Sequence, residues 1–267
     1  MLIDTHAHLA DPKLESNLAE IIKDAENSGV QKIISVGCSV SEAKKSIKIS
    51  MRYPNVYATA GLYPFDPIKE QNIPISKRLD DIYNMSAHPK VKAIGECGLD
   101  FSTPAPWEAP RDTFSQEELF RLQIEIARKR NLPVSIHSRR ASASTIRILK
   151  DEIKKSPFKA VWHCFSEKWE TAEPALKIGL MFSFTGIITY HNAKGVLETV
   201  RKVPLKNIML ETDSPLLVPQ TAKDKEIKIN EPKYARITAQ KIAQIKEISE
   251  LEVEKITSKN AMEFFGL

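Results

Sequence analysis

The sequence predicts an α/β fold, a closed (β/α)8 TIM barrel, from three observations. Eight short apolar runs begin near residues 2, 32, 56, 91, 133, 160, 181 and 207, and most lead into a segment of helical periodicity. Such strands joined by helical crossovers make a parallel sheet covered on both faces, and eight units in about 250 residues is the size of a closed barrel. Polar residues also fall at the C-terminal ends of five different strands, and no G-x-G-x-x-G follows the first, which counts against an open doubly wound sheet with one switch point.

The elements follow in order. The first strand, Met1 to Thr5, runs into His6 and His8, whose i, i+2 spacing sends both imidazoles to one face of a strand. Pro12 to Asn27 carries Leu14, Leu18, Ile21, Ile22 and Ala25 at helical spacing and stops before Gly29. Lys32 to Gly37 is a strand, Ser41 to Met51 a helix with Ser41 as N-cap, and Val56 to Ala60 a strand again. Further strands are expected at about 91–96, 133–137, 160–165, 181–188 and 207–211. The helix Gln116 to Arg130 reads a capping box from Ser115 and Glu118 and ends on Arg128, Lys129 and Arg130, which suit a C-terminal dipole. Another helix starts near Ala235, and the last, about Glu252 to Phe265, presents Val253, Ile256, Ala261 and Phe264 to seal the barrel flank.

With 267 residues and 42% apolar content the chain can bury a large core, and no repeat or linker divides it, so one domain over residues 1–267 is expected. Neither a leader peptide nor a membrane-spanning run is visible, and Cys38, Cys97 and Cys164 are odd in number with no C-x-x-C. A cytoplasmic monomer with reduced thiols and no membrane contact is the expectation. A net charge of +5 is compatible with a polyanionic substrate but is modest for this length.

The strand ends carry the chemistry. One histidine is ordinarily a satisfied core residue. Here, however, His6 and His8 are joined by Glu96 after Val91–Ile94, His137 after Val134–Ile136, His163 after Ala160–Trp162, and Glu211 and Asp213 after Ile208–Leu210. In a barrel these ends converge on one mouth. Four histidines with the carboxylates of Glu96 and Asp213 exceed the needs of one tetrahedral ion, whereas two divalent ions about 3.5–4 Å apart and bridged by a carboxylate would use these six. The expected metal ligands are therefore His6, His8, Glu96, His137, His163 and Asp213, with Glu96 as the bridge and Asp213 also accepting a proton from the attacking water. Mg or Mn fits the oxygen donors, and four imidazoles also suit Zn. The fold and donors together read as a metal-dependent hydrolase.

The stretches Asp4–His8, Ala93–Asp100, Pro133–Arg139, His163–Ser166, Phe182–Gly186, Leu210–Pro215 and Asn230–Pro232, in this order, resemble the TatD family of metal-dependent deoxyribonucleases, part of the amidohydrolase-like barrels. The resemblance covers the whole chain. It implies a divalent-metal phosphodiesterase, usually magnesium-dependent and acting on DNA from the 3′ end, whose ligands match the six residues above.

Two departures stand out. Where the family often has G-x-H-P, this chain has Gly61-Leu62-Tyr63-Pro64, with Phe65 in place of a second frequent histidine. Tyr63 can bind a phosphate oxygen but cannot act as an imidazolium acid at neutral pH. Where the family often continues H-S-R-D, Arg139 is followed by Arg140. Arg139 suits a phosphate clamp because its planar fork matches two phosphate oxygens. The loop from Ser102 to Arg111 overhangs the mouth, and its Trp107 is expected to pack on the barrel, with stacking on a base as the other reading. Thr221 to Lys233 reads as a solvated, lysine-rich loop or a lid, and Glu231 as a residue that orients a ligand or starts the following helix. Two other functions stay open on the residues: an amidohydrolase or lactonase for a small carbonyl substrate, which would not need the basic rim, and a nucleic-acid binder whose catalysis is lost through Tyr63.

Overall fold

The computed structural model describes residues 1–267. Its strands β1 (Leu2–Ala7), β2 (Val30–Ser35), β3 (Val56–Ala60), β4 (Val91–Asp100), β5 (Val134–Arg139), β6 (Ala160–Trp162), β7 (Met181–Phe184) and β8 (Ile208–Leu210) form one eight-stranded sheet in chain order. Every neighbouring pair is parallel. A bridge between Ala7 and Ser214, with Asp213 N–H on the His6 carbonyl and His8 N–H on the Ser214 carbonyl, brings the last strand against the first. The (β/α)8 barrel expected from the strand count is therefore present.

Some local boundaries differ from the sequence reading. Pro12 to Asn27 is two helices, Pro12–Glu15 capped by Asp11 and Leu18–Asn27, because Asn17 leaves helical geometry at φ −119° and ψ 16°. The next helix starts at Val40, and Ser39 rather than Ser41 accepts from the Glu42 N–H. Likewise Asp112, not Ser115, caps Thr113–Arg130, and its carboxylate takes both the N–H and the hydroxyl of Ser115. A carboxylate can accept two donors at once, which favours it over the serine as cap.

Strand β4 runs four residues past Glu96 instead of ending there. Gly98 permits this: at φ +142° it lies so close to β5 that a Cβ would fall 2.0 Å from the His137 carbonyl oxygen. The helix Glu250–Phe265 also does more than cover a flank. Its Ala261, Phe264 and Phe265 pack with Ile3, Ile34, Ala93, Val161 and Met209, one residue from each of five strands. Side chains from strands spread around a barrel can share one cluster only at its axis, so this helix plugs the N-terminal end. The opposite end is left for the polar residues. No helix is long and apolar enough to cross a membrane.

Candidate active site

All six expected ligands meet at the C-terminal mouth, in two sets that share Glu96. Its Oε2 lies 3.4 Å from His6 Nε2 and 3.8 Å from His8 Nε2, while Oε1 lies 2.8 Å from His137 Nδ1 and 3.0 Å from His163 Nε2. Asp213 joins the first set, with Oδ1 3.0 Å from His8 Nε2 and 3.7 Å from His6 Nε2. His6 sits inside β1 and His8 just beyond it, and both face this space as the i, i+2 spacing requires. Asp213 reaches it from a left-handed backbone at φ +57°, held by the bond from its N–H to His6 and by Leu216 N–H on its own carbonyl. Asp tolerates that conformation better than most residues but still at a cost, and such strain recurs at functional sites.

Around these groups stands a layer of residues outside the six expected ligands. Asp100 faces His137 Nε2 at 3.1 Å and accepts from the Tyr63 hydroxyl at 2.9 Å and from Ser102 through both its N–H and its hydroxyl. Glu211 lies 3.5 Å from His163 Nδ1 and accepts from Ser183 Oγ and Cys164 N–H, both at 2.5 Å. Asp4 accepts from the hydroxyl and N–H of Thr212, tying β1 to the segment that carries Asp213. Cys38 donates its thiol to Glu96 Oε2 at 3.1 Å. Asp4, Asp100 and Glu211 were visible as strand-borne acids in the recognised motifs, whereas nothing in the spacing around Cys38 marked it.

The electrostatics keep the carboxylate donors ionised. Burial works to raise the Glu96 carboxyl, but the His163 charge, the hydrogen bonds from His137 and His163 and the nearby His6 ring outweigh it and hold Glu96 well below the ordinary range. Asp213 is likewise lowered, with burial opposed by the hydrogen bond and charge of His8. Burial and then the charge of His163 push His6 down, toward the neutral imidazole that a metal requires. Both ring nitrogens of His6 and Nδ1 of His163 are buried without a hydrogen-bond partner. Orphaned polar atoms of this kind are costly and call for an ion or water. Three groups, His6/His8/Glu96, Glu96/His137/His163 and His6/His163/Glu211, each have donor atoms within 4.8 Å of one another. The nitrogen and oxygen donor chemistry thus fits divalent metal.

A family model described as TatD related DNase matches residues 3–266. The chain belongs to that family. It is 36% identical over 268 residues to YabD of Bacillus subtilis (strain 168), described as an uncharacterized metal-dependent hydrolase, with all of both chains covered. It is 33% identical over 269 residues to the human deoxyribonuclease TATDN3, covering 99% of this chain and 94% of that one. The crystal structure of YjjV, a TatD homolog from Escherichia coli K12, superposes with a TM-score of 0.87 at 25% identity, covering 100% of this chain and 98% of the other.

Within this TatD-family mouth, Tyr63 lines the cavity where the motif often has histidine, and its hydroxyl also lies 3.1 Å from His137 Nε2. Burial, then the carboxylates of Glu96 and Asp100, push its phenol well above the ordinary range, so it remains a donor. The cavity is about 1130 Å³ and reaches from His8, Glu96, His137, His163 and Asp213, with His6 buried behind them, to Arg139, Lys69 and Trp107 at the rim. Arg139 is exposed there, whereas Arg140 does not line the cavity. Trp107 does not pack on the barrel as expected: the loop's own hydrogen bonds hold its backbone while its side chain is 71% exposed. In the lysine-rich segment the contact with the site comes from Asn230, whose amide donates to the carbonyls of Thr212 and Leu217, while Glu231 pairs with Lys233 at 2.7 Å.

Proposed function

We propose that this chain is a divalent-metal-dependent phosphodiesterase that degrades DNA, working from the 3′ end. The observation that carries the reading is the division of the Glu96 oxygens between two donor sets, His6, His8 and Asp213 on one side and His137 and His163 on the other. That division supports two ions, Mg, Mn or Zn, which His6, His8 and Asp213 would hold on one side and His137 and His163 on the other, with Glu96 a donor to both sets. When bound, they would supply an acidified water and neutralise charge on the phosphate oxygens. The likeness to a human deoxyribonuclease supports DNA as the substrate. One chain supplies every donor, which supports a single domain over residues 1–267 whose site is complete in a monomer.

The side chains divide the remaining work. Asp213, kept ionised, takes the proton from the attacking water, and the His8 ring 3.0 Å away orients it. Arg139 at the rim clamps the phosphate group, and Tyr63 donates its hydroxyl on the opposite side of His137 from Glu96. A small neutral carbonyl substrate would use neither the basic rim nor the whole cavity, which exceeds the roughly 300–1,000 Å³ of ordinary small-molecule sites. The test is digestion of end-labelled single- and double-stranded DNA and RNA with Mg, Mn or Zn, beside the Asp213→Asn variant. DNA should shorten from its 3′ end and the variant should lose nearly all turnover. Equal rates in variant and parent would overturn the assignment of Asp213, and binding without cleavage would leave a nucleic-acid binder.

A further inference from the structure

Trp107 stands on an anchored loop. Glu108–Ala109 pairs antiparallel with Asp66–Pro67, and the Ile68 N–H donates to the Trp107 carbonyl at 3.2 Å. Ala105 N–H reaches Glu108 Oε2 at 2.8 Å, closing the turn that carries the indole. At the paired strand Asp66–Pro67, Arg78 and Arg111 both bind the Asp66 carboxylate. A backbone held by so many bonds would be expected to turn a large aromatic side chain inward, because an indole gains more from burial than almost any other group. Yet Trp107 is 71% exposed while Trp162 is 1% exposed, and the exposed indole lies on the wall of the cavity that holds Glu96 and His137. Ile68, 46% exposed, extends the apolar wall, and the cations Lys69 and Arg139 line the same cavity. A ligand that matches this rim carries flat apolar rings at intervals along an anionic backbone.

We propose that Trp107 is a stacking shelf for an unpaired nucleobase, the side chain through which this rim holds a base beside the site. This rests on the nuclease reading above. In a duplex both faces of each internal base are covered by neighbouring pairs, whereas a single strand offers its π-faces. The shelf acts in binding and stays clear of the reacting phosphate.

The experiment compares a single-stranded oligothymidylate with an abasic strand of equal length and charge, using metal-loaded parent, Trp107→Ala and Trp107→Phe. The parent should prefer the base-bearing strand. Trp107→Ala should raise its KM about tenfold or more and erase the preference, and Trp107→Phe should retain most of it. Because either variant could fail to fold, a second measurement uses metal-loaded Asp213→Asn protein with Trp107 intact. Oligothymidylate should quench its tryptophan fluorescence more strongly than the abasic strand does. A Trp107→Ala enzyme that keeps the parent's preference, or equal quenching by both strands, overturns the shelf. If the parent cleaves neither strand, the nuclease reading itself falls and takes the shelf with it.

Discussion

Replacing Asp100 with alanine should weaken metal binding without touching any of the six proposed ligands. The Asp100 carboxyl is pulled down to about 2, since hydrogen bonds from His137 and Ser102 outweigh the opposing effect of burial. It is therefore a carboxylate at neutral pH and accepts the Nε2 proton of His137 across 3.1 Å. That bond favours the tautomer whose Nδ1, a donor to Glu96 Oε1 at 2.8 Å, would give up that proton and turn its lone pair to a metal. Carboxylate partners of metal-binding histidines are worth about 10- to 100-fold in metal affinity or activity, or about 1.4–2.7 kcal/mol. Alanine also leaves the Tyr63 hydroxyl without its acceptor, so Asp100→Ala and Tyr63→Phe should be less than additive in a double-mutant cycle. The assay is competition for metal against a chromophoric chelator, with circular dichroism and Tm to establish that each variant is folded. A folded Asp100→Ala protein that binds metal within about twofold of the parent would refute the reasoning, since the effect expected is about tenfold at least.

Two more outcomes follow from the structure. Metal at about 100 times its Kd should stabilise the fold by about 2.7 kcal/mol, seen as a rise in Tm that a chelator reverses, because the buried donors then gain their partner; an unchanged Tm with every candidate metal would count against the site. Glu152 should make the protein acid-sensitive in a defined window. Its carboxyl falls from 4.5 to about 2 because bonds from Lys155, Arg128 and Arg121 outweigh burial, so its contribution is full above about 4.5 and is lost as pH falls toward about 2. For this buried group the shift corresponds to about 3 kcal/mol, so Glu152→Gln should be less stable by that order in urea at pH 7 and approach the parent below pH 3. Parallel stability curves across that range would contradict the pairing.

Much of this site was legible because a barrel turns strand order into proximity. Once eight apolar runs were recognised, His6, His8, Glu96, His137, His163 and Asp213 had to lie near one mouth, whatever their separation along the chain. Local features were harder to read. Asp112 and Ser39 took caps assigned to Ser115 and Ser41, because neighbouring polar residues compete for the same orphan N–H groups and only the backbone path decides between them.

By itself, then, the sequence determined the number and order of strands, the donor types at their ends and the place of Asp213 beside His6 and His8. Each follows from periodicity and covalent order, which are local properties. Tertiary structure alone decided which Glu96 oxygen faces which histidines, that Asp100 and Tyr63 hold His137 from behind, and that Cys38 touches the Glu96 carboxylate. It also decided that Trp107 is held out toward solvent. These outcomes depend on rotamers and on angstrom-scale register between segments distant in sequence, where a shift of one residue redirects a side chain to the opposite face.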